Sequence, residues 1–232
     1  MNIRQTNIDN VGIVIGDDEI FPGYNPKDGM HFTKTSPNQT QHELYIMHAS
    51  YKPLATSLIE SYPSCQKLLD VGSGAGSLTY WMRQLKSDLT IVTLDGNPQT
   101  VNSKWLKKDH HFIVRTDVDY TLVDDQGETI LFDVITSFEH FEHIQPETFE
   151  TFLNNIKKHC HKDTIIIASA SKHHHPKPED AHIHCNVQTQ EAWDKYLKNL
   201  GWKLLPEKYI TNTNHPFNFN IAISSQLTFR LS

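Results

Sequence analysis

Residues 67–76 read KLLDVGSGAG and run straight into SLTYWMRQL, residues 77–85. A short apolar run ends in an acid, a turn of alternating glycines follows, and an amphipathic segment closes the unit. Glycines at 72, 74 and 76 let the backbone turn sharply and let a ligand come close to the main chain. The helix behind the turn offers unpaired N–H groups to that ligand. Outward from this unit, strands and helices alternate. Leu89–Leu94 is a strand ending at Asp95, and Asn97 with Pro98 supplies an N-cap and first helical residue for a segment reaching about Lys107. His111–Arg115, Phe132–Ser137 and Thr164–Ala168 are further strands. A helix with Pro146 near its start presents Phe149, Leu153 and Ile156 on one face. Thr189 caps another helix, with Trp193, Tyr196, Leu197 and Leu200 as its apolar stripe, Trp193 and Tyr196 read as core, and a stop at Gly201.

Alternation of this kind predicts an α/β fold, a Rossmann-like doubly wound and mostly parallel sheet with helices on both faces. The tail breaks the pattern. Trp202–Leu205 and Ile221–Phe229 are strand-like with no helix between them, so they pair antiparallel. The expectation is seven strands, the last one antiparallel. Before residue 63 the pattern is looser: Val11–Ile15 is a strand, the turns at Gly16-Asp17-Asp18, Pro22-Gly23 and Asn25-Pro26 punctuate loop, and His42–Tyr62 reads as two helical pieces broken at Pro53. We therefore divide the chain into an extension over 1–62, a cap or substrate region, and a main domain over 63–232.

Composition narrows the class. The 232 residues carry 21 basic and 27 acidic side chains, a net charge of -6, which gives no general attraction to nucleic-acid backbones. No run approaches the roughly 18 apolar residues of a membrane span. The N-terminus lacks a secretory pattern. Cys65, Cys160 and Cys185 are too few and too scattered for a disulfide frame. A cytoplasmic protein is expected.

Three details of the glycine turn narrow the ligand. A dinucleotide fingerprint starting at Gly72 requires glycine at 77, where Ser77 stands. No lysine followed by Ser or Thr closes the turn as in a phosphate loop. Asp70 beside the turn repels a pyrophosphate and attracts a cation. Asp95, at the next strand end, is placed to accept from both ribose hydroxyls. Together these describe a site for S-adenosylmethionine. The structural alternatives are a helix-end anion at Asp70 and a plain turn residue at Asp95.

As an ordered set, the glycine motif, the Asp95 strand end and the closing hairpin resemble the class I S-adenosylmethionine-dependent methyltransferases over about residues 67–205. The resemblance implies that Asp70, Gly72, Gly74 and Gly76 line the methionine and ribose side of the cofactor. It places Asp95 on the ribose, Gly96 and Asn97 beside the adenine, and Asp117 near the adenine amino group, where a solvated loop acid is the alternative. It also implies that Phe132–His143 opens the methyl-accepting pocket, with Ser137 counted among the cofactor residues.

That last segment ends in Ser137-Phe-Glu139-His-Phe-Glu142-His143, at a strand end where side chains reach the crevice. Glu142 and His143 are candidate general bases for an acceptor hydroxyl or amine, with Glu139 supporting. The spacing E-x-x-E-H also matches the metal-binding motif of small-RNA 3′-terminal 2′-O-methyltransferases, in which His184 fills the remaining ligand place. Glu139, Glu142, His143 and His184 are then a divalent-metal option. Ubiquinone-pathway O-methyltransferases share a similar E-x-x-E-H, and the acidic chain argues against RNA, so no metal is assigned. His173-His174-His175, His182 and His184 belong to a proline-containing loop read as a lid over the pocket. The leading function is methyl transfer from S-adenosylmethionine to a hydroxyl or amine of a small-molecule or sugar acceptor. The rivals are the metal-assisted RNA reaction and a non-catalytic cofactor-binding partner subunit. Acceptor identity and oligomeric state are left open.

Overall fold

The computed structural model describes residues 2–5, 12–15, 41–97, 100, 103–106, 110–173, 184–206 and 224–232, with backbone alone for those before 51 and for 224. The turns expected between 16 and 26, Pro98 and most of the helix after it, His174, His175 and His182, and residues 221–223 lie outside these.

Strands β1 (Asn2–Gln5) and β2 (Gly12–Ile15) come first, then helix α1 (Gln41–Ser61). The alternating unit follows: β3 (Lys67–Val71), α2 (Ser77–Leu85), β4 (Thr90–Asp95), β5 (His111–Ile113), β6 (Tyr120–Val123), β7 (Phe132–Phe138), α3 (Phe149–Lys158), β8 (Cys160–Ser171), α4 (Gln190–Asn199), β9 (Trp202–Leu204) and β10 (Ser224–Leu231). Seven strands form one sheet in the order β5-β4-β3-β7-β8-β10-β9. β3, β4, β5, β7 and β8 are mutually parallel, and β10 enters antiparallel between β8 and β9. The doubly wound sheet with a closing hairpin is therefore as the sequence predicts.

Both faces of the sheet are covered, which explains why its central strands are almost continuously apolar. Successive residues of β3 point to opposite faces. Leu68 packs with Leu54, Ala55 and Leu58 of α1 and Leu78 and Met82 of α2. Leu69 faces the other way, into a cluster with Phe149, Phe152 and Ile156 of α3 and Trp193 and Leu197 of α4. Tyr196, expected in that core, is 37% exposed at its rim, because only the Trp193 and Leu197 side of α4 faces the sheet. Thr189 caps α4 as expected, its side chain accepting from the Ala192 N–H at 3.2 Å.

Three sequence expectations need correcting. The helix before the sheet is continuous: α1 carries Pro53 in its interior. A proline there costs about 3 kcal/mol, and burial of Leu54, Ala55 and Leu58 directly after it offsets that cost. Asn2–Gln5, read as loop, is a strand paired antiparallel with β2. Tyr120–Val123, not recognised as a strand, is β6, and β2 pairs with it to make a separate three-stranded sheet.

On its inner side, among the described residues, β6 has only an isolated antiparallel bridge from Val123 to Thr129. Asn155 of α3 and His159, just past the end of α3, complete that edge. Asn155, fully buried, accepts from the Tyr120 N–H and donates to the carbonyls of Thr116 (3.1 Å) and Val118 (2.6 Å). His159 accepts the Leu122 N–H on Nε2, and its Nδ1 donates to the Ile130 carbonyl at 2.8 Å. We expect Asn155→Leu, close in volume, to strand three buried backbone groups and to cost about 3 kcal/mol of stability. Urea unfolding checks this: the midpoint falls while the slope is unchanged.

Candidate functional site

The C-terminal ends of β3, β4 and β7 open on one edge of the sheet, where a doubly wound fold keeps its ligand crevice. After β3 the chain turns through Gly72, Gly74 and Gly76, all at positive φ. The N–H groups of Gly72 and Ser73 both donate to the Leu94 carbonyl, at 2.8 and 3.0 Å, which folds the turn over the end of β4. The three glycines have different surroundings. A Cβ on Gly72 would fall 2.4 Å from the His140 ring, and one on Gly76 would fall 2.3 Å from Leu106. One on Gly74 would meet nothing within 4 Å among the described residues. Gly74 therefore faces the open crevice, while the other two are required by packing.

Two buried carboxylates flank this opening. Asp70, 4% exposed, accepts from Thr136 Oγ1 at 2.7 Å. Burial, with Asp95 adding to it, pushes Asp70 up to about 7 against the pull of Thr136 and Arg83. Asp95, 2% exposed, accepts from the Gly74 N–H at 2.7 Å on one oxygen and from the Asn97 N–H at 2.8 Å on the other. Burial raises Asp95 as well, and those two N–H bonds oppose it. Asn97 is itself buried, and Thr100 donates its N–H back to the Asn97 carbonyl in a 3-10 turn. Gly96 sits between them, with the Val114 carbonyl 3.9 Å from where its Cβ would be. Asp117 lies beyond β5. Burial works upward on it, but a two-point pair with Arg115 (3.0 and 2.7 Å) and a bond from Thr148 outweigh that and hold it below the usual carboxylate range.

The segment after β7 divides into two groups. Ser137 and His140 turn inward: Ser137 Oγ donates to the Val71 carbonyl at 2.9 Å and lies 3.1 Å from His140 Nδ1. Burial first, and His143 second, drive His140 down to about 3, so its ring is neutral. Glu139 is bound to β8 through Ser169, whose hydroxyl donates to its Oε1 at 2.7 Å. Glu142 and His143 sit on a single 3-10 turn, Phe141–His143. They meet His184 there, with one ligand atom from each of the three within 4.8 Å of the others. The Asn186 N–H donating to the Glu142 carbonyl at 3.0 Å holds the two segments together. Glu142 is 1% exposed, and its Oε2 has no hydrogen-bond partner. Burial, helped by Glu139, pushes it up to about 8. Of the four residues in the metal option, Glu139 stands outside this group.

Tyr51 on α1 packs against the cluster of Leu54, Leu58, Leu68 and Leu78. Burial, with Asp70 and Glu139 nearby, pushes its phenol up to about 12. No sequence signal marks it, since at helical spacing it reads as one more core aromatic.

A family model described as a methyltransferase domain matches residues 69–166. No curated protein matches the chain. Among solved structures, the plantazolicin methyltransferase BpumL in complex with SAH superposes with a TM-score of 0.60 at 12% identity, covering 85% of this chain and 91% of that one. Human N-acetylserotonin methyltransferase in complex with SAM gives 0.55 at 12%, over 82% of this chain and 53% of that one. An S-adenosylmethionine-dependent methyltransferase from Clostridium acetobutylicum ATCC 824 gives 0.55 at 13%, over 78% and 92%. Identities this low establish a common fold, and the family model covers the strands that build the crevice. No helix among the described residues is long and apolar enough to cross a membrane. Residues 69–166 thus match a methyltransferase-domain model, and the chain shares its fold with solved S-adenosylmethionine-dependent methyltransferases.

Proposed function

We propose that the protein transfers a methyl group from S-adenosylmethionine to a hydroxyl or amine of a small-molecule or sugar acceptor, using the crevice between the glycine turn and the segment after β7. The observation that carries this reading is the pair of buried carboxylates beside the open Gly74. Asp70 and Asp95 set two carboxyl groups in a desolvated place, and a ligand with a cationic amino-acid end and a neutral sugar favours their ionised form there. When bound, the cofactor supplies a methyl group on a positively charged sulfur. Asp70 faces the amino-acid end, and Asp95 accepts from the ribose with the lone pairs that Gly74 and Asn97 leave over. Gly72 and Gly76 shape the turn that keeps Gly74 exposed. Gly96 and Asn97 border the adenine side, with Asp117 beyond.

Glu142 and His143 stand at the end of the neighbouring strand and take the acceptor's proton as the methyl group moves. Glu139 keeps to a supporting part, since Ser169 holds its carboxylate. Holding acceptor and methyl donor in line lowers the barrier on its own account. Small-molecule acceptors are consistent with similar folds such as the mitomycin 7-O-methyltransferase MmcR.

One observation favours a second reading, metal-assisted transfer to a ribose hydroxyl of RNA: the meeting of Glu142, His143 and His184. His184 Nδ1 lies 2.7 Å from the His173 carbonyl and donates to it, which makes Nε2 the unprotonated nitrogen of the neutral ring. Two imidazoles and one carboxylate suit Zn²⁺, Mn²⁺ or Fe²⁺, with positions left for an acceptor oxygen.

Calorimetry with S-adenosylmethionine and its demethylated product tests the main reading. Wild type binds both, and Asp95→Ala weakens both by about a hundredfold; no binding to wild type ends the proposal. The pH dependence follows from Asp70. Below about 7 its carboxyl holds a proton that a cationic ligand must displace, so cofactor affinity falls as pH falls through 7. About one proton is released per ligand bound at pH 6. Titrations in buffers of different ionisation enthalpy measure that proton, and Asp70→Asn abolishes the dependence.

His143→Ala and Glu142→Gln should lower turnover of an identified acceptor by roughly 10²–10⁴-fold with product binding unchanged. The metal reading is tested separately by titrating Mn²⁺ or Zn²⁺ onto wild type and His184→Ala. Saturable one-to-one binding lost in the variant supports it, and no binding to wild type removes it.

A further inference from the structure

Glu139 is the one non-glycine residue at positive φ among the described residues, at 48°. A side chain in the left-handed region is strained by roughly 1 kcal/mol or more and persists only where neighbours impose it. Here Ser169 of β8 imposes it. The Glu139 N–H donates to the Ser169 carbonyl at 3.0 Å and to its hydroxyl at 3.1 Å, while that hydroxyl donates to Glu139 Oε1. The outcome of the reversal lies one residue on. His140 is carried inward beneath the glycine turn, into the space where Gly72 has no side chain.

Its imidazole is fully engaged there. Ser137 Oγ has a single proton and donates it to the Val71 carbonyl, so it accepts from His140 Nδ1–H. The neutral ring then carries its lone pair on Nε2 and accepts from Thr116 Oγ1 at 3.2 Å. Its edge packs on Phe152, with ring centroids 5.4 Å apart. Behind Thr116, the Asn155 amide fixes that residue's carbonyl. One side chain thus touches the turn after β3, the loop after β5 and the end of β7.

We infer that His140 is a positioning residue of the cofactor crevice, a wedge under Gly72 that sets the glycine turn against Leu94 and Asp95 through its two hydroxyl partners. This rests on the cofactor reading for its functional meaning, and its geometry is tested without any ligand. Glu139 and Ser169 hold the wedge in place.

The first experiment is amide hydrogen exchange on the ligand-free protein. His140→Phe keeps a ring against Phe152 and removes both nitrogens. We expect exchange of the Gly72, Ser73 and Gly74 amides to speed up about tenfold or more while the amides of β8 keep their protection. Thr116→Val removes one partner only and serves if the first variant folds poorly; it should speed the same amides to a smaller extent. The second experiment is a double-mutant cycle on binding of the demethylated cofactor product. His140→Ala, the single variant of the cycle, should weaken binding about tenfold, and His140→Phe should do so with little change in melting temperature. Gly72→Ala should weaken it more, and Gly72→Ala with His140→Ala should recover part of that loss, because the added methyl group then has room. Unchanged exchange at the turn, or strictly additive losses in the cycle, overturns the inference. If wild type fails to bind the product, the cofactor reading falls, and the exchange result still decides whether His140 sets the turn.

Discussion

The carboxylate of Asp95 accepts from the Gly74 N–H at 2.7 Å and from the Asn97 N–H at 2.8 Å, tying the turn after β3 to the turn after β4. Two adjacent parallel strands necessarily end on the same edge, and their outgoing turns have backbone donors with no partner in the sheet. A buried acid between them satisfies those donors, and their bonds oppose the rise in its pKa that burial causes. The shape of the crevice depends on this exchange. The turn must pass over β4 for Gly72 and Ser73 to reach the Leu94 carbonyl, and only then does Gly74 face outward.

Around this tie three buried histidines each have two defined partners. His111 lies between Thr93 and Thr100, His140 between Ser137 and Thr116, and His159 between Leu122 and Ile130. Burial drives all three rings well below the usual histidine range, so they act as neutral connectors rather than charges. Two carboxyl groups at the crevice are held differently. Asp70 and Glu142 are both raised by burial, and the second oxygen of Glu142 is without a partner. Groups held at a cost in this way mark where a ligand or an acceptor has something to compensate.

Much of the fold was legible in the chain because the signals were local. A run such as Leu68–Val71 is apolar on both sides because helices cover both faces, and the glycine turn, Thr189 and Gly201 declare the element ends through backbone preferences alone. The acids Asp70 and Asp95 were likewise readable, since a strand end fixes where its last side chain lies. What escaped was non-local. Tyr120–Val123 has strand-favouring residues but only four of them between acidic neighbours, and becomes a strand because β2 pairs with one edge while Asn155 and His159 bond to the other. Pro53 reads as a break, yet α1 runs through it, since packing against Leu68 and Ile91 outweighs the lost hydrogen bond.

The parallel sheet, the place of the crevice and the two acids at its mouth can be read from the chain alone, because period, glycine spacing and strand ends are properties of neighbouring residues. How the E-x-x-E-H segment is divided depends instead on contacts made far along the chain. Ser169, thirty residues downstream of Glu139, holds that residue in a left-handed turn and so sends His140 inward. His184, brought in by a loop that bonds to the Glu142 carbonyl through Asn186, joins Glu142 and His143 instead. Spacing along a chain says which side chains are near in sequence; strain and long-range hydrogen bonds select which of them share a site.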